Sequence, residues 1–384
     1  MIDILIQRYD RKLLTYLGIL AVMGTVMLYS ASWYESFSSS NGRTEMLFLQ
    51  GHLKRMLVGV FFLFGFLTLD YRRLKEVAPY FIIVSIFLLI ITKGYYLVNG
   101  LGWSKPARWL FIGPFSIQTS DIARMAVIVY MAYYVDKKRD QLKEFQMGFL
   151  PALGVLAVIM GLIEIQPDFS TAFMIGAIGI LILFIGGVKI SQLSLAGSAA
   201  LLVGIPVLMA KEYRRARILS YFGIGDLKEV GYQASQSLIS LGNGGVFGVG
   251  LGNSIEKNHF LPTPHTDFIF AIIGEELGFL LGTVPVLTLF LLIFFRGLKI
   301  AKECTDPFGV FLAVGISFNV ILYAFVNAAV VTGIFPVTGL PMPMVSYGGS
   351  GMVINMALIG ILLNISQARR SVGGNRGWSP ARYG

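Results

Sequence analysis

Ten long apolar segments constrain the fold of this chain more strongly than any other feature of its sequence. A membrane-spanning helix needs about 20 mainly apolar residues, each adding about 1.5 Å to its length. The pattern therefore predicts an all-α integral membrane protein with about ten transmembrane helices. The predicted spans are Leu13–Ala31, His52–Leu69, Val77–Ile91, Asp121–Val135, Phe149–Ile165, Ser170–Gly187, Gln192–Ala210, Phe268–Phe295, Phe308–Thr332 and Ser350–Ser366.

The composition supports a fold in lipid. Hydrophobic residues make up 55% of the 384 residues and charged residues only 14%, whereas soluble domains average about 25% charged residues. One soluble core cannot bury this much apolar surface, which excludes a soluble enzyme, a disordered chain and a disulfide-rich scaffold. The single cysteine, Cys304, allows neither an internal disulfide nor a cysteine-built zinc or iron–sulfur site.

The spans define one membrane domain. We expect residues 1–368 to form a single polytopic domain and residues 369–384 to form a basic, disordered cytoplasmic tail. The first span lacks a nearby small-residue cleavage site and is read as a retained signal anchor. The longest connection, Lys211–Thr266 between spans seven and eight, contains apolar residues throughout. We expect it to pack against the protein or dip into the membrane.

Basic residues predict the orientation. With ten spans, both ends of the chain lie on one side of the membrane, and more than half of the 31 lysine and arginine residues fall in segments on that side. Positive residues favour the cytoplasm, so both termini are placed there and Lys211–Thr266 is placed outside. The net charge of +10 is then explained by basic loops facing anionic lipid, and no nucleic-acid partner is expected.

A first polar cluster precedes and begins the fourth span. Lys105 and Arg108, beside Trp109, suit an anionic group such as a phosphate or diphosphate. An ordinary interfacial arginine–tryptophan anchor explains these residues equally well. Asp121 and Arg124 are three residues apart on one helix, and we predict that they form a structural ion pair.

A second cluster, Gln166-Pro167-Asp168, lies between spans five and six. Pro167 ends the preceding helix, and Asp168 falls near the start of the next one. A helix-capping aspartate explains Asp168 well, so the functional interpretation depends on what else lies nearby.

A third cluster begins the eighth span. Capping by Thr266 would place Asp267 in the first helical turn, where the helix dipole keeps the carboxylate ionised. A carboxylate that is ionised and can still accept a proton is what a general base requires, although a purely capping role explains Asp267 about as well. Glu275 and Glu276 lie too far along and around the helix to form a close carboxylate pair with Asp267.

A fourth cluster, Gly333–Gly351, contains three prolines and five glycines and cannot form a regular helix. Irregular backbone at membrane depth survives only where protein or a water-filled cavity covers it. The run Ser346–Gly351 is predicted to present backbone N–H groups as an anion nest. A simple outer loop is the alternative.

These segments, in this order, closely resemble the SEDS family (shape, elongation, division and sporulation proteins), and the resemblance covers nearly the whole chain. Its most specific parts are His265–Phe270, Gly274–Gly278 and Pro341–Gly351. The runs Leu241–Ser254 and Leu363–Ser366 are more similar to the division branch, FtsW and SpoVE, than to the elongation branch, RodA.

The resemblance implies a peptidoglycan glycosyltransferase that polymerises lipid II at the outer face of the bacterial cytoplasmic (inner) membrane, in septal wall synthesis. The family aspartate at the position of Asp267 is taken as the base that deprotonates the acceptor sugar hydroxyl, and undecaprenyl diphosphate leaves. Arg108 matches a family arginine associated with substrate binding. Family members work with a class B penicillin-binding protein, which is expected here together with other division proteins.

The site expected from both arguments has Asp267 as its catalytic residue. No metal site is predicted, and a requirement for Mg²⁺ or Mn²⁺ is left open. The residues expected to bind substrate are Arg108, Lys105, Asp168, Gln166, His265, Thr266, Ser346, Tyr347, Gly348, Gly349 and Ser350.

Two departures from the family pattern lie near this site. The family commonly has Gln-Pro-Ser-Glu with a lysine three residues later, whereas this chain has Gln118-Thr119-Ser120-Asp121 with Arg124. The pair Pro262-Thr263 replaces the usual Pro-Glu, which removes one carboxylate and weakens any argument for a metal site there.

Two other functions stay open. A transporter that flips lipid-linked precursor also uses broken helices and buried charges, but its polar groups should cluster near the membrane midplane. A non-catalytic scaffold that recruits a penicillin-binding protein would tolerate Asp267→Asn.

Overall fold

The computed structural model describes residues 9–99, 108–112, 115–224, 230–258 and 260–368. Lys105 and the predicted tail, residues 369–384, lie outside these ranges. The helices are α1 Arg11–Ser39, α2 Leu47–Thr68, α3 Arg73–Val98, α4 Thr119–Lys137, α5 Leu150–Ile165, α6 Phe169–Ile185, α7 Ile190–Ala210, α8 Glu212–Tyr221, α9 Val230–Gly244, α10 Ile269–Gly278, α11 Val284–Glu303, α12 Pro307–Val331 and α13 Ser350–Gln367. Single π-helical turns, Phe145–Phe149 and Phe279–Thr283, precede α5 and α11.

Every predicted span coincides with helix, which confirms a multi-pass membrane fold. Within the described ranges, eight helical segments are long and apolar enough to cross a membrane. The other two of the ten are α4, which carries charges near both ends, and α6, which has only 17 residues. The third span is longer than expected, since α3 has 26 residues.

The all-α membrane fold is confirmed, with one small addition that the sequence analysis did not predict. Strands β1, Trp109–Ile112, and β2, Phe115–Gln118, form an antiparallel hairpin in which Trp109 pairs with Gln118. The sequence reason is local, because aromatic and β-branched residues flank Gly113-Pro114, a turn-forming pair. The hairpin delivers the chain into α4.

The eighth predicted span is broken. Gly278 ends α10 with φ of 77°, and the chain continues through a π-turn into α11. The glycine-rich segment after α9 wraps the break, because Phe279 N–H donates to Gly245 O (2.9 Å) and Val249 N–H donates to Glu275 O (2.9 Å). A break inside a membrane segment is tolerated where the protein satisfies the freed backbone groups in this way.

The connection Lys211–Thr266 is therefore structured, with α8 and α9 in its first half. It packs on the protein as expected, since α9 lies against α10 and α12.

The helices differ in how much they contribute to the core. Of the 18 most apolar consecutive residues in each helix, 67% are buried in α12 but only 6% in α7. α7 therefore faces lipid. α4 is buried along most of its length and packs against α3, α6 and α12. At one end of the bundle, the Asp10 carboxylate pairs with Arg296, and the Asp10 backbone N–H donates to Ser366 Oγ (3.0 Å). Two cavities, one polar and one largely apolar, lie at the opposite end.

Candidate active site

Two cavities meet at the end of the bundle opposite Asp10 and Arg296, and Asp267 lies in the wall between them. The first, of about 250 Å³, is lined by charged, amide and aromatic side chains of α4, α12 and α13 and by the loop before α13. The second, of about 480 Å³, is lined largely by apolar side chains of α6, α7, α8 and α12. Arg108, Asp168 and Asp267 line both cavities. The site thus joins a polar chamber to an apolar one.

Asp267 lies in a turn before α10 and not in the helix. The helix begins at Ile269 without a side-chain cap, and the Thr266 hydroxyl donates to Thr263 O (3.0 Å). The predicted capping by Thr266, with Asp267 in the first turn, is therefore wrong. The approach with its two prolines forms turns and bends, and the N-cap is Phe268, two residues later than predicted.

Asn327 of α12 fixes the backbone at the catalytic candidate. Its Nδ2 donates to Asp267 O (2.7 Å) and to Leu340 O (2.8 Å). One amide therefore joins the turn before α10 to the loop before α13. Sequence analysis missed this residue, although a lone asparagine inside an apolar span is a usable signal of a buried polar role.

Burial raises the pKa of the Asp267 carboxyl, and the nearby positive groups Arg217, His265 and Arg108 oppose this rise in pKa. Burial is the larger effect, so Asp267 is a stronger base than an exposed aspartate. This differs from the expected helix-dipole effect, because Asp267 precedes the first helical turn and burial has the largest effect on its pKa.

Arg108 and Asp168 line both cavities and lie next to each other. Arg108 Nη2 donates to Pro167 O (2.5 Å), and its Nε lies 3.8 Å from Asp168 Oδ2. Gln118 Nε2 donates to the same carboxylate oxygen at 3.2 Å. Asp168 occupies the N-cap position of α6 but makes no capping hydrogen bond with its side chain. The capping interpretation is therefore wrong, and the carboxylate faces the cavities.

Gln166, expected to bind substrate, is fully buried, and its Nε2 donates to Leu89 O of α3 (3.0 Å). It lines neither described cavity. Its amide holds the end of α5 against α3.

The hairpin places Trp109 over the loop before α13. A Cβ atom at Gly349 would lie 2.6 Å from Trp109 Cζ3, so only glycine allows the indole to lie this close. Because Trp109 follows Arg108 directly, this contact also fixes the direction from which the guanidinium enters the site.

Asp121 and Arg124 lie at the bottom of the first cavity. Arg124 Nη2 is 3.2 Å from Asp121 Oδ1, and the guanidinium carbon lies 4.5 Å from the centre of the Tyr323 ring. Ser350 Oγ donates to Asp121 Oδ2 (2.8 Å) and accepts from Gln118 N–H (2.8 Å). Ser350 therefore ties α13 to α4 and to the hairpin, and it does not line the cavity.

The loop before α13 supplies Ser346, Tyr347, Gly348 and Gly349 to the first cavity. Ser346 N–H donates to Met342 O (3.1 Å), and Tyr347 N–H donates to His265 O (2.8 Å). The predicted nest over Ser346–Gly351 is therefore wrong for its first two N–H groups, because both are used to hold the loop itself.

His265 stands behind Asp267 and faces away from the cavities. Its Nδ1 lies 3.1 Å from Glu35 Oε2, and its ring lies 4.4 Å from the Phe48 ring and 5.6 Å from the Tyr347 ring between centroids. His265 thus links the turn carrying Asp267 to α1, α2 and the loop before α13.

Arg217 of α8 also belongs to the site, and sequence analysis did not identify it. It lines the second cavity with Arg108 and Asp267. The available signal was the group Arg214, Arg215 and Arg217 in a connection predicted to lie outside, where basic residues are not needed to set orientation.

The two glutamates of α10 are used elsewhere. Glu275 accepts from the hydroxyls of Ser240 (2.9 Å) and Ser254 (2.5 Å), and Glu276 pairs with Lys257 at 2.7 Å. Both are fully buried. Neither provides a second carboxylate next to Asp267. In the ranges that the structure describes, no three His, Cys, Asp or Glu side chains are placed to hold a metal ion.

Comparisons with known proteins agree with this architecture. Residues 11–371 match the model of the FtsW/RodA/SpoVE family, described as "Cell cycle protein". A probable peptidoglycan glycosyltransferase FtsW of Geobacter sulfurreducens is 38% identical over 94% of this chain and 96% of its own length. Stage V sporulation protein E of Bacillus subtilis is 35% identical over 92% of this chain and 95% of its own.

Two solved structures share the fold. The first, titled "Structural coordination of polymerization and crosslinking by a peptidoglycan synthase complex", aligns with a TM-score of 0.76 at 23% identity, over 94% of this chain and 99% of that chain. The second, the rod shape determining protein RodA of Thermus thermophilus, aligns with a TM-score of 0.67 at 23% identity, over 94% and 97%. The family match, the relatives and the shared fold together show that this chain belongs to the FtsW/RodA/SpoVE family of cell cycle proteins.

Proposed function

We propose that this protein is a peptidoglycan glycosyltransferase that polymerises lipid II, most similar to the division branch of its family. The observation that carries the proposal is the position of Asp267, a half-buried carboxylate that lines both a polar cavity and an apolar cavity, with arginines beside it. The polar cavity suits sugars, and the apolar cavity suits the start of a polyprenyl chain.

The reaction uses these residues in a defined order. Asp267 takes the proton from the acceptor sugar hydroxyl as that oxygen attacks the anomeric carbon of the donor. The bond between the anomeric carbon and the diphosphate oxygen breaks, and undecaprenyl diphosphate leaves with the electron pair. Arg108 offsets the negative charge that develops on the leaving group. Asp267 then returns its proton to water or to the product.

We infer that the site faces the outside of the cytoplasmic membrane, with both termini in the cytoplasm. The support is the excess of lysine and arginine at the end of the bundle that holds Asp10 and Arg296, because cytoplasmic segments favour positive residues. Lipid II on the outer leaflet would then enter directly. The partners are a class B penicillin-binding protein, which cross-links the new glycan, and other division proteins.

The function is tested with purified protein in liposomes that contain fluorescent lipid II and the partner penicillin-binding protein. We expect glycan strands to form, with no movement of lipid II between leaflets. The position of the site at one end of the bundle favours this result over transport. Movement of lipid II without glycan would show a transporter instead, and neither activity would show a scaffold.

A further inference from the structure

The second cavity contains a cation that the reaction described above does not use. On α8, Arg214 is engaged by the protein, because its Nη1 lies 2.5 Å from Glu164 Oε1 and its Nε donates to Tyr213 Oη (2.9 Å). Arg217, on the same helix, has a different environment. In the described part of the chain it makes no ion pair; its Nη1 donates to Val337 O at 3.4 Å, and its guanidinium carbon lies 6.0 Å from the centre of the Tyr213 ring. A half-buried guanidinium with so little partnering suits an anionic ligand.

Arg217 and Arg108 approach the same space from different elements. Arg108 enters from the hairpin, Arg217 from α8, and both line the second cavity with Asp267. Their charges are close enough to interact with each other and with Asp267. Two like charges facing one cavity repel each other, and a bound dianion or trianion removes that repulsion.

We propose that Arg217 is a second arm of a diphosphate site, so that Arg108 and Arg217 together hold the two phosphates of the lipid diphosphate in the second cavity. This deepens the proposed function and rests on it. Guanidinium groups bind phosphate oxygens in a bidentate manner, and two of them fit two phosphates. Phe169, Phe173 and Leu208 continue the same cavity as an apolar wall for the attached chain.

The arrangement gives Arg217 a direct part in the reaction. As the bond between the anomeric carbon and the diphosphate oxygen breaks, one further negative charge develops on the leaving group. Arg108 alone would face that charge from one side only. With Arg217 on α8, the charge is opposed from two elements.

The test measures binding of undecaprenyl diphosphate to the full-length protein in detergent micelles, without turnover. We expect Arg217→Gln to weaken binding about ten- to hundredfold, as for loss of a charge-assisted hydrogen bond, and Arg217→Lys to retain most of it. Arg215→Gln is the matched control, since Arg215 is exposed on the same helix and should bind as the wild type does. The affinity for inorganic pyrophosphate should change by the same factor in each variant as the affinity for undecaprenyl diphosphate.

Two results would overturn the proposal. Arg217→Gln binding as tightly as Arg215→Gln would remove Arg217 from the site. Loss of lipid binding with unchanged pyrophosphate binding would mean that Arg217 contacts the chain and not the diphosphate. Because binding is measured without reaction, the same comparison in an Asp267→Asn background stands even if the proposed glycosyl transfer fails.

Discussion

At the scale of single residues, Asp267 is the group whose environment is best explained by chemistry. Burial raises its pKa, while Arg217, His265 and Arg108 restrain the rise. A raised pKa makes the ionised carboxylate a stronger proton acceptor than an exposed aspartate, as a general base requires. Sequence identified the residue, but not the arginine on α8 or the asparagine on α12 that surround it. Both become neighbours only through tertiary packing.

The raised pKa of Asp267 has a consequence for stability. A carboxyl group with a raised pKa in the folded state contributes stability that is fully present below its unfolded pKa and is lost as pH rises through the folded pKa. At neutral pH, ionised Asp267 therefore destabilises the fold. We expect Asp267→Asn to unfold at the same or a higher temperature than the wild type at pH 7, with a difference that shrinks toward pH 4. A variant that is clearly less stable at pH 7 would contradict this.

The contact between Glu35 and His265 makes a second prediction. Removing the Glu35 carboxylate loosens the His265 ring, whose Nδ1 lies 3.1 Å from Glu35 Oε2 and which belongs to the turn before α10. We expect Glu35→Gln to lower kcat about two- to fivefold, as for a partly exposed ion pair, with little change in KM.

Glu45→Gln is the matched control for Glu35→Gln, because Glu45 is an exposed glutamate in the connection that follows α1, the helix that carries Glu35. Equal kinetics for the two variants would rule out a positioning role for Glu35.

At the scale of elements, apolar length predicted the helices and failed at their interruptions. Sequence indicated one span over Phe268–Phe295, whereas the chain breaks at Gly278 and restarts as α11. A continuous run of apolar residues gives no sign of a helix break. At this break, a loop about 30 residues earlier in the chain satisfies the backbone groups. The hairpin at Trp109 was missed for a similar reason, since eight residues of strand carry a weak periodic signal.

Gly278 tests this account of the break. Its φ of 77° with ψ of −178° is a conformation that only glycine adopts readily, and an added Cβ would lie 2.6 Å from Val246 O. We expect Gly278→Ala to destabilise the protein by about 1–3 kcal/mol or more, measured by thermal unfolding in detergent. Gly18→Ala in α1 is the control, because a Cβ there meets nothing within 4 Å. Similar unfolding of both variants would show that the break does not depend on glycine.

At the scale of the whole molecule, the bundle separates two ends with different chemistry. One end joins Asp10, Arg296 and Ser366, and the other contains the cavities around Asp267. The sequence analysis predicted two different ends from the distribution of basic residues and from the even number of predicted spans. It could not predict that two cavities share one wall, because that depends on how α6, α8 and α12 pack.

The orientation is tested by labelling single cysteines in cells, after Cys304→Ser removes the native one. We expect Glu45→Cys to react with a membrane-impermeant maleimide from outside the cytoplasmic membrane. Arg139→Cys, exposed at the opposite end, should react only after permeabilisation. The reverse pattern would place the cavities in the cytoplasm, where they could not receive lipid II from the outer leaflet.

The central claim is that Asp267 is the base for glycosyl transfer, and the rate of lipid II polymerisation by Asp267→Asn tests it most directly. The variant keeps the size of the side chain and removes its ability to accept a proton. With the partner penicillin-binding protein in liposomes, we predict a rate at least about a hundredfold below that of the wild type, with lipid II binding retained. Polymerisation by Asp267→Asn at the wild-type rate would contradict the account.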